Sequence, residues 1–207
     1  ILIFLGLPPH VANGTNRIVI LFQSITGTLG FKSKKVSSTP LDFYLGLTAT
    51  LGSLLGAQIA IEMKGALFNK ILAIFMFCIG LLILFQKKQT PFELSSRRED
   101  KKRILSMILF FFVGVYGGFI NAGIGFVILL ILTQVNNLSI TQANSVKVVV
   151  VTIYTTAALL LFIYYQAVSW KLGLWMALGS TLSAWTASRW SVKKEDRIIR
   201  CFYLWWL

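Results

Sequence analysis

Val113-Gly-Val-Tyr-Gly-Gly-Phe-Ile-Asn-Ala-Gly-Ile-Gly125 is the middle of a longer apolar run, Ile104–Leu132. That run is long enough to cross a bilayer, which takes about 20 apolar residues. Yet five glycines and one asparagine stand where an ordinary spanning helix carries leucine. Each glycine costs a helix about 1 kcal/mol relative to alanine. Backbone freed at that depth must find partners inside protein or at a water-filled cavity. A plain anchor has no use for such a cost, whereas broken helices in transporters present half-helix ends to a substrate near the midplane. The stretch therefore predicts a broken or re-entrant element around which the rest of the chain is arranged.

Working outward, the 207 residues are 56% hydrophobic and 13% charged, with a mean hydropathy of +0.75. A soluble domain carries about 25% charged residues, so the expected class is an all-α polytopic membrane protein. Pro8 and Pro9 stop any helix arriving from the N-terminal side. Apolar spans follow at Val11–Phe31, Leu41–Ile61 and Ala66–Phe85, then at Ala143–Tyr165 and Ser169–Trp190. Gly52-Ser-Leu-Leu-Gly56 is a small-xxx-small face that lets two helices approach closely, and Glu62–Gly65 reads as a tight turn. The basic stretch Gln86–Arg103 divides the chain into residues 1–85 and 104–207. Ser191–Arg197 reads as a charged connection, after which Ile198–Leu207 starts a further span. The net charge of +13 resides in short loops, as the positive-inside rule expects, and does not point to nucleic acid. Cys78 and Cys201 both lie in apolar segments and read as packing residues.

The two halves resemble each other. With Ala12-Asn13 set over Ala143-Asn144, Ser24 meets Thr155, Gly27 meets Ala158 and Phe31 meets Phe162. After a small gap, Gly46 meets Gly173, Gly52-Ser53 meets Gly179-Ser180, and Ile71 meets Ile198. The colinearity predicts a duplication. The partner of Leu132 is Ile1, and the counterpart of Phe85 would fall beyond Leu207. A second glycine-broken element is thus expected ahead of residue 1, with the sequence clipped at both ends.

Charge chooses between topologies. A single crossing of Ile104–Leu132 leaves eleven basic residues on one side and seven on the other. An element that enters, turns at its glycines and leaves on the same side leaves fifteen against three, namely Lys64, Lys70 and Lys171. The second arrangement satisfies the positive-inside rule. It makes each half a re-entrant hairpin plus three spans, and an odd number of crossings turns the second half upside down. The expectation is two inverted repeats in the cell membrane, multi-pass, with the basic loops cytoplasmic.

Arg17 and Lys147 stand outside that loop count, each just after an Ala-Asn pair. They either snorkel to the headgroups or attract an anion, helped by helix N-termini beginning near Asn13 and Asn144. Gln23, Ser24, Thr26, Thr28, Thr152, Thr155 and Thr156 either line a path as neutral donors or bond between helices. Every acidic residue sits in a loop or at a span end, which leaves a carboxylate proton relay or a carboxylate Na⁺ site unsupported. His10 reads as an interfacial polar residue. No Walker motif, nucleophile elbow, paired catalytic carboxylates or metal cluster is present. Neither an enzyme nor a cofactor is expected.

Gly6-Leu-Pro-Pro-His-Val-Ala-Asn-Gly-Thr-Asn16, Gln23-Ser-Ile-Thr-Gly27 and the glycine-rich Phe112–Gly125 resemble the TauE/SafE sulfite exporter family of membrane permeases. So do Asn121-Ala-Gly-Ile-Gly125 and Ser139-Ile-Thr-Gln-Ala-Asn144 in the second half, and the resemblance covers essentially the whole chain. The family's glycine run ahead of the first Pro-Pro is absent, and Asn121 and Ala122 dilute the glycines of the second. The resemblance implies a secondary transporter for small sulfur oxyanions such as sulfite or organosulfonates. The candidate substrate-binding set is Asn13, Gly14, Thr15, Asn16, Arg17, Ser24, Gly118, Asn121, Gly123, Asn144, Lys147 and Thr155. The expected partners are a small anion and the lipid bilayer, with further copies of the chain left open. A membrane-embedded scaffold whose glycines serve only packing fits the same spans, as does a permease for another small solute.

Overall fold

The computed structural model describes residues 2–3, 6–34, 36, 40–63, 65–85 and 99–206; at 40, 75, 76, 78–85, 99–102 and 193–206 it describes the backbone alone. The side chains of Cys78 and Cys201, most of the Gln86–Arg103 stretch and the extreme termini lie outside the described residues. Among these residues there are seven helices and no strand: α1 (Pro9–Ser33), α2 (Pro40–Glu62), α3 (Gly65–Phe85), α4 (Glu99–Phe119), α5 (Ile124–Gln134), α6 (Ile140–Tyr164) and α7 (Trp170–Trp206). Two of them, Leu41–Glu62 and Ile140–Tyr164, are long and apolar enough to cross a membrane on length and composition. Large apolar side chains such as Leu51, Leu55, Leu160, Trp175 and Leu182 are exposed, far more than a soluble monomer leaves to water.

Local chemistry sets the helix ends. Pro8 caps α1 in an extended conformation and Pro9 is its first residue, where a fixed φ is pre-organised and no N–H is lost. Ser139 and Gln142 form a reciprocal capping box at the start of α6, satisfying two of that helix's orphan donors. Both helices therefore begin four residues earlier than expected, and Asn13 and Asn144 lie in the second turn with their backbone N–H groups bonded inside the helix. What those two positions offer is a side chain, not free backbone N–H groups.

The expected break is also narrower than the glycine run. Gly114, Gly117 and Gly118 lie within α4, and the helix yields only at residues 120–123. Asn121 (φ 62°) and Gly123 (φ 70°) there take left-handed backbone, which glycine and asparagine tolerate best. The other glycines serve a seam. A methyl group on Gly114 or Gly118 would run into the backbone of Ala49 or Ser53, and one on Gly52 or Gly56 into that of Phe111 or Val115. The small face expected at Gly52 and Gly56 thus meets a second one at Gly114 and Gly118, and α2 and α4 lie side by side with their backbones in contact.

Beyond the break the chain returns. The Ser106 hydroxyl, near the start of α4, donates to Asn136 Oδ1, just past the end of α5, at 3.1 Å. Helices α4 and α5 are therefore antiparallel arms of a hairpin. The 11 residues of α5 span about 16 Å, half of a hydrocarbon core of about 30 Å.

The remaining directions follow from neighbours. Helix α1 runs antiparallel to α6, with Gly14 against Phe162 and Gly27 against Val148, and parallel to α7, with Ile18 against Gly173 and Gly30 against Ser188. Helix α2 runs parallel to α6, with Gly46 against Ile153 and Gln58 bonded to Tyr165. The ends of α1 and α5 and the starts of α2, α4 and α6 consequently share one end of the molecule. Lys32, Arg103 and Arg189 lie toward that basic end, and Lys171 toward the other.

Helix α7 is continuous for 37 residues, about 55 Å, so the expected connection at Ser191–Arg197 is helix instead. That segment holds no proline or glycine, and Lys and Glu are strong helix formers; charge alone does not end a helix. Likewise α4 begins at Glu99, so residues 99–103 of the expected linker are already helical.

Candidate functional site

The hairpin tip divides two cavities. The larger, about 460 Å³, is lined by the second half of α1, the first half of α6, the far part of α7, and Asn121, Ile124 and Gly125 of the tip. It lies toward the basic end. The smaller, about 370 Å³, is lined by Pro9, Asn13 and Asn16 of α1, Phe68 of α3 and the tip residues Ile120 and Ala122. It lies toward the opposite end.

Two tyrosines hold the tip between them. Tyr154 of α6 donates to Asn121 Oδ1 at 2.7 Å, and Tyr116 of α4 donates to the Ala122 carbonyl at 2.5 Å. Two side chains of α1 seal the C-terminal end of α4. The Arg17 Nη2 donates to the Gly118 carbonyl at 2.6 Å, and the Asn13 amide donates to the Phe119 carbonyl at 2.7 Å. A cation there also complements the negative end of the helix dipole. Arg17 is fully buried under the Phe162 ring, 5.6 Å from its centroid, so it does not snorkel. A buried cation lacking an ionic partner is costly, yet among the described residues its Nε and Nη1 have no hydrogen-bond partner.

The other side of the break is open. Gly123 caps α5 with no side-chain bond to its first N–H groups, which are the leftover donors of any helix start. Ile124 and Gly125, which carry them, line the larger cavity. A methyl group on Gly125 would meet only the Lys147 side chain, at 3.7 Å from Cδ. Among the described residues that line that cavity, Lys147 is the one charged side chain and none is a carboxylate. Its ammonium is held by Asn144 Oδ1 at 2.7 Å, and the Asn144 amide in turn donates to the Ile140 carbonyl at 3.0 Å. The apolar walls are Ile20, Val148, Val151 and Ala184.

The candidates thus fall into three groups. Ser24, Asn121, Asn144 and Lys147 line the larger cavity together, while Asn13 and Asn16 line the smaller. The others sit in the packing. Gly14 fits against Ala167 and Phe162, Thr15 accepts from the Ser169 N–H at 2.9 Å, and Gly118 fits against Ser53. Gly123 makes the turn. Thr155 is buried with its hydroxyl unpartnered. Thr26, Thr28, Thr152 and Thr156 bond to carbonyls of their own helices. Sequence reasoning missed Tyr154 and Gly125. Asn144, Lys147, Val151 and Tyr154 follow the three-and-four spacing of a single helix face, which was the signal available.

The sulfite exporter TauE/SafE family matches the chain over residues 1–207. A probable membrane transporter protein of Haemophilus influenzae is 28% identical over 204 residues, covering 96% of this chain and 77% of that protein. One from Sinorhizobium is 26% identical, covering 94% and 74%, and one from Escherichia coli is 28% identical, covering 94% and 72%. No solved structure matches the chain. With a glycine-seamed hairpin, two cavities meeting at its tip, and a family match along its whole length, the chain belongs to the TauE/SafE sulfite exporter family and is a membrane transporter, not an enzyme.

Proposed function

We propose that the protein is a secondary transporter of small anions, sulfite or an organosulfonate by its family, and that the larger cavity is the anion's binding site. The observation that carries this reading is the lining of that cavity: the uncapped start of α5 and the Lys147 ammonium converge on it, with no carboxylate among the described residues that line it. A helix start and a nearby cation attract an anion together. Asn121 adds to this, since Tyr154 occupies its oxygen and leaves its amide nitrogen for a ligand.

The placement of two cavities on opposite sides of one tip supports alternating access, with one half rocking against the other. Helix directions support inverted repeats. Under exchange of halves α1 corresponds to α6 and α7 to α2, and each pair of correspondents runs in opposite directions. In the α1–α7 contact and its counterpart α2–α6 a glycine sits on an isoleucine, Gly173 on Ile18 and Gly46 on Ile153. The positive-inside rule then puts the basic end, and with it the larger cavity, toward the cytoplasm of the cell membrane.

The test is uptake of radiolabelled sulfite, sulfate, taurine and sulfoacetate into proteoliposomes, with and without a pH gradient. Saturable uptake of a sulfur oxyanion is the expected result. Uptake of none of the four above that of protein-free vesicles sinks the proposal and leaves a scaffold role standing.

A further inference from the structure

Arg17 is more than a clamp on α4. Its guanidinium carries five N–H donors. The Gly118 carbonyl and, at a long 3.5 Å, Asn13 Oδ1 take Nη2 alone. The three N–H groups of Nε and Nη1 are buried with no partner. Among the described residues, the groups around it are the Gly118 carbonyl, the Asn13 amide, the Phe162 ring and the Tyr154 phenol, none of them a carboxylate. Its position is equally specific. Asn13, one turn before it, lines the smaller cavity, and Tyr154, which fixes Asn121, lines the larger. The residue therefore sits behind the tip, at the seam between the two.

We propose that Arg17 is a second anion station: an anion passing from the larger cavity to the smaller is handed from Lys147 to the free N–H groups of Arg17, and takes the place of the Gly118 carbonyl on the guanidinium. The inference rests on the transport reading above and adds a site to it. A planar guanidinium fork suits a tetrahedral or pyramidal oxyanion, which it holds with two parallel bonds. Competition between anion and carbonyl couples occupancy to movement, because the bond that is lost is one that seals the tip. No bond is made or broken covalently, and one negative charge moves between two positive ones.

Modification of the purified protein in proteoliposomes by butanedione, read as peptide mass at Arg17, tests this directly. Arg17 is expected to react as the tip opens, and saturating sulfite or methanesulfonate is expected to slow it by about fivefold or more, a difference in occupancy large enough to read. Exposed Arg189, stacked on Trp185, serves as the control and should react at the same rate with and without the anion. An Arg17 that never reacts, or reacts at a rate indifferent to the anion, overturns the proposal. In a second measurement, Arg17→Lys is expected to keep the anion-induced shift in thermal unfolding, half-saturating within about threefold of wild type, while flux falls about tenfold or more. Wild-type flux in that variant overturns the proposal; if it does not fold, the labelling of the unmodified protein decides. Flux that is present and depends on Lys147, with Arg17 indifferent to anion, removes the second station alone. Absence of any anion flux removes the transport reading instead.

Discussion

Replacing Lys147 by Met is the sharpest perturbation of the proposed site, since it removes the one cation among the described residues lining the larger cavity and keeps an unbranched side chain of similar length. Two unit charges at about 4 Å interact by about 4 kcal/mol at an effective dielectric of 20. Lys147 is only partly buried, so solvent screening takes some of that away. The range for hydrogen bonds to charged groups, about 1.5–3 kcal/mol, is the better guide. Taking about 2–3 kcal/mol, at 1.4 kcal/mol per decade, the half-saturating anion concentration should rise about 30- to 150-fold. Stability should hardly move, because the loss of the Asn144 bond at 2.7 Å is offset by relief of a partly desolvated charge. The assay is initial-rate uptake of sulfite into proteoliposomes across a concentration series, with thermal unfolding in detergent alongside. Lys147→Arg, which keeps the charge, should stay within about fivefold of wild type. A Lys147→Met protein that folds and saturates within about threefold of wild type refutes the reasoning, because no other cation stands among the described residues lining the cavity.

Other positions test the frame around the site. Gly118→Ala forces a methyl group into the Ser53 backbone and should lower stability by about 1–3 kcal/mol, the usual cost of overpacking. Gly179→Ala, with nothing within 4 Å, should leave the thermal midpoint unchanged or raise it; equal effects at the two sites would refute the seam. Tyr154→Phe removes the hydroxyl that holds Asn121 at 2.7 Å and should cost about 1 kcal/mol of stability; a larger fall in uptake than in stability is expected, and unchanged uptake would mean the tip is held otherwise. Cysteines placed at Lys64 and Lys193 should react with an impermeant reagent from opposite faces of the membrane. Labelling of both from one face ends the hairpin topology.

Much of the frame could be read from residues that act on their neighbours. Gly52 and Gly56 present a small face, and that face is found against α4; Pro8-Pro9, expected only as a stop, also starts α1. The errors have one source, a local signal taken for more than it says. Glycine in lipid-facing sequence was read as a break, but Gly114 and Gly118 are there so that α2 can touch α4, a partner about 60 positions away. The break needs left-handed backbone, and only Asn121 and Gly123 supply it. Charge at Ser191–Arg197 was read as a loop, although nothing in it opposes helix. Lys147 and Asn144 are three apart on one helix, so their pairing was within reach of the sequence. The partner of Arg17 was not, since it is a backbone carbonyl 101 residues away.

A broken helix in a bilayer has two ends of opposite sign, and what the surrounding chain does with each decides the character of the space between them. Here the negative end, the last carbonyls of α4, is closed by Arg17 and Asn13. The positive end, the first N–H groups of α5, is left without a side-chain cap and faces a cavity where the one charge among the described lining residues is positive. Had an acidic residue capped α5 and the carbonyls of α4 been left free, the same break would favour a cation. On the proposed reading, then, the preference for an anion is written less in the glycines that form the hairpin than in Arg17, which closes one end of the break, and Lys147, which stands beside the other.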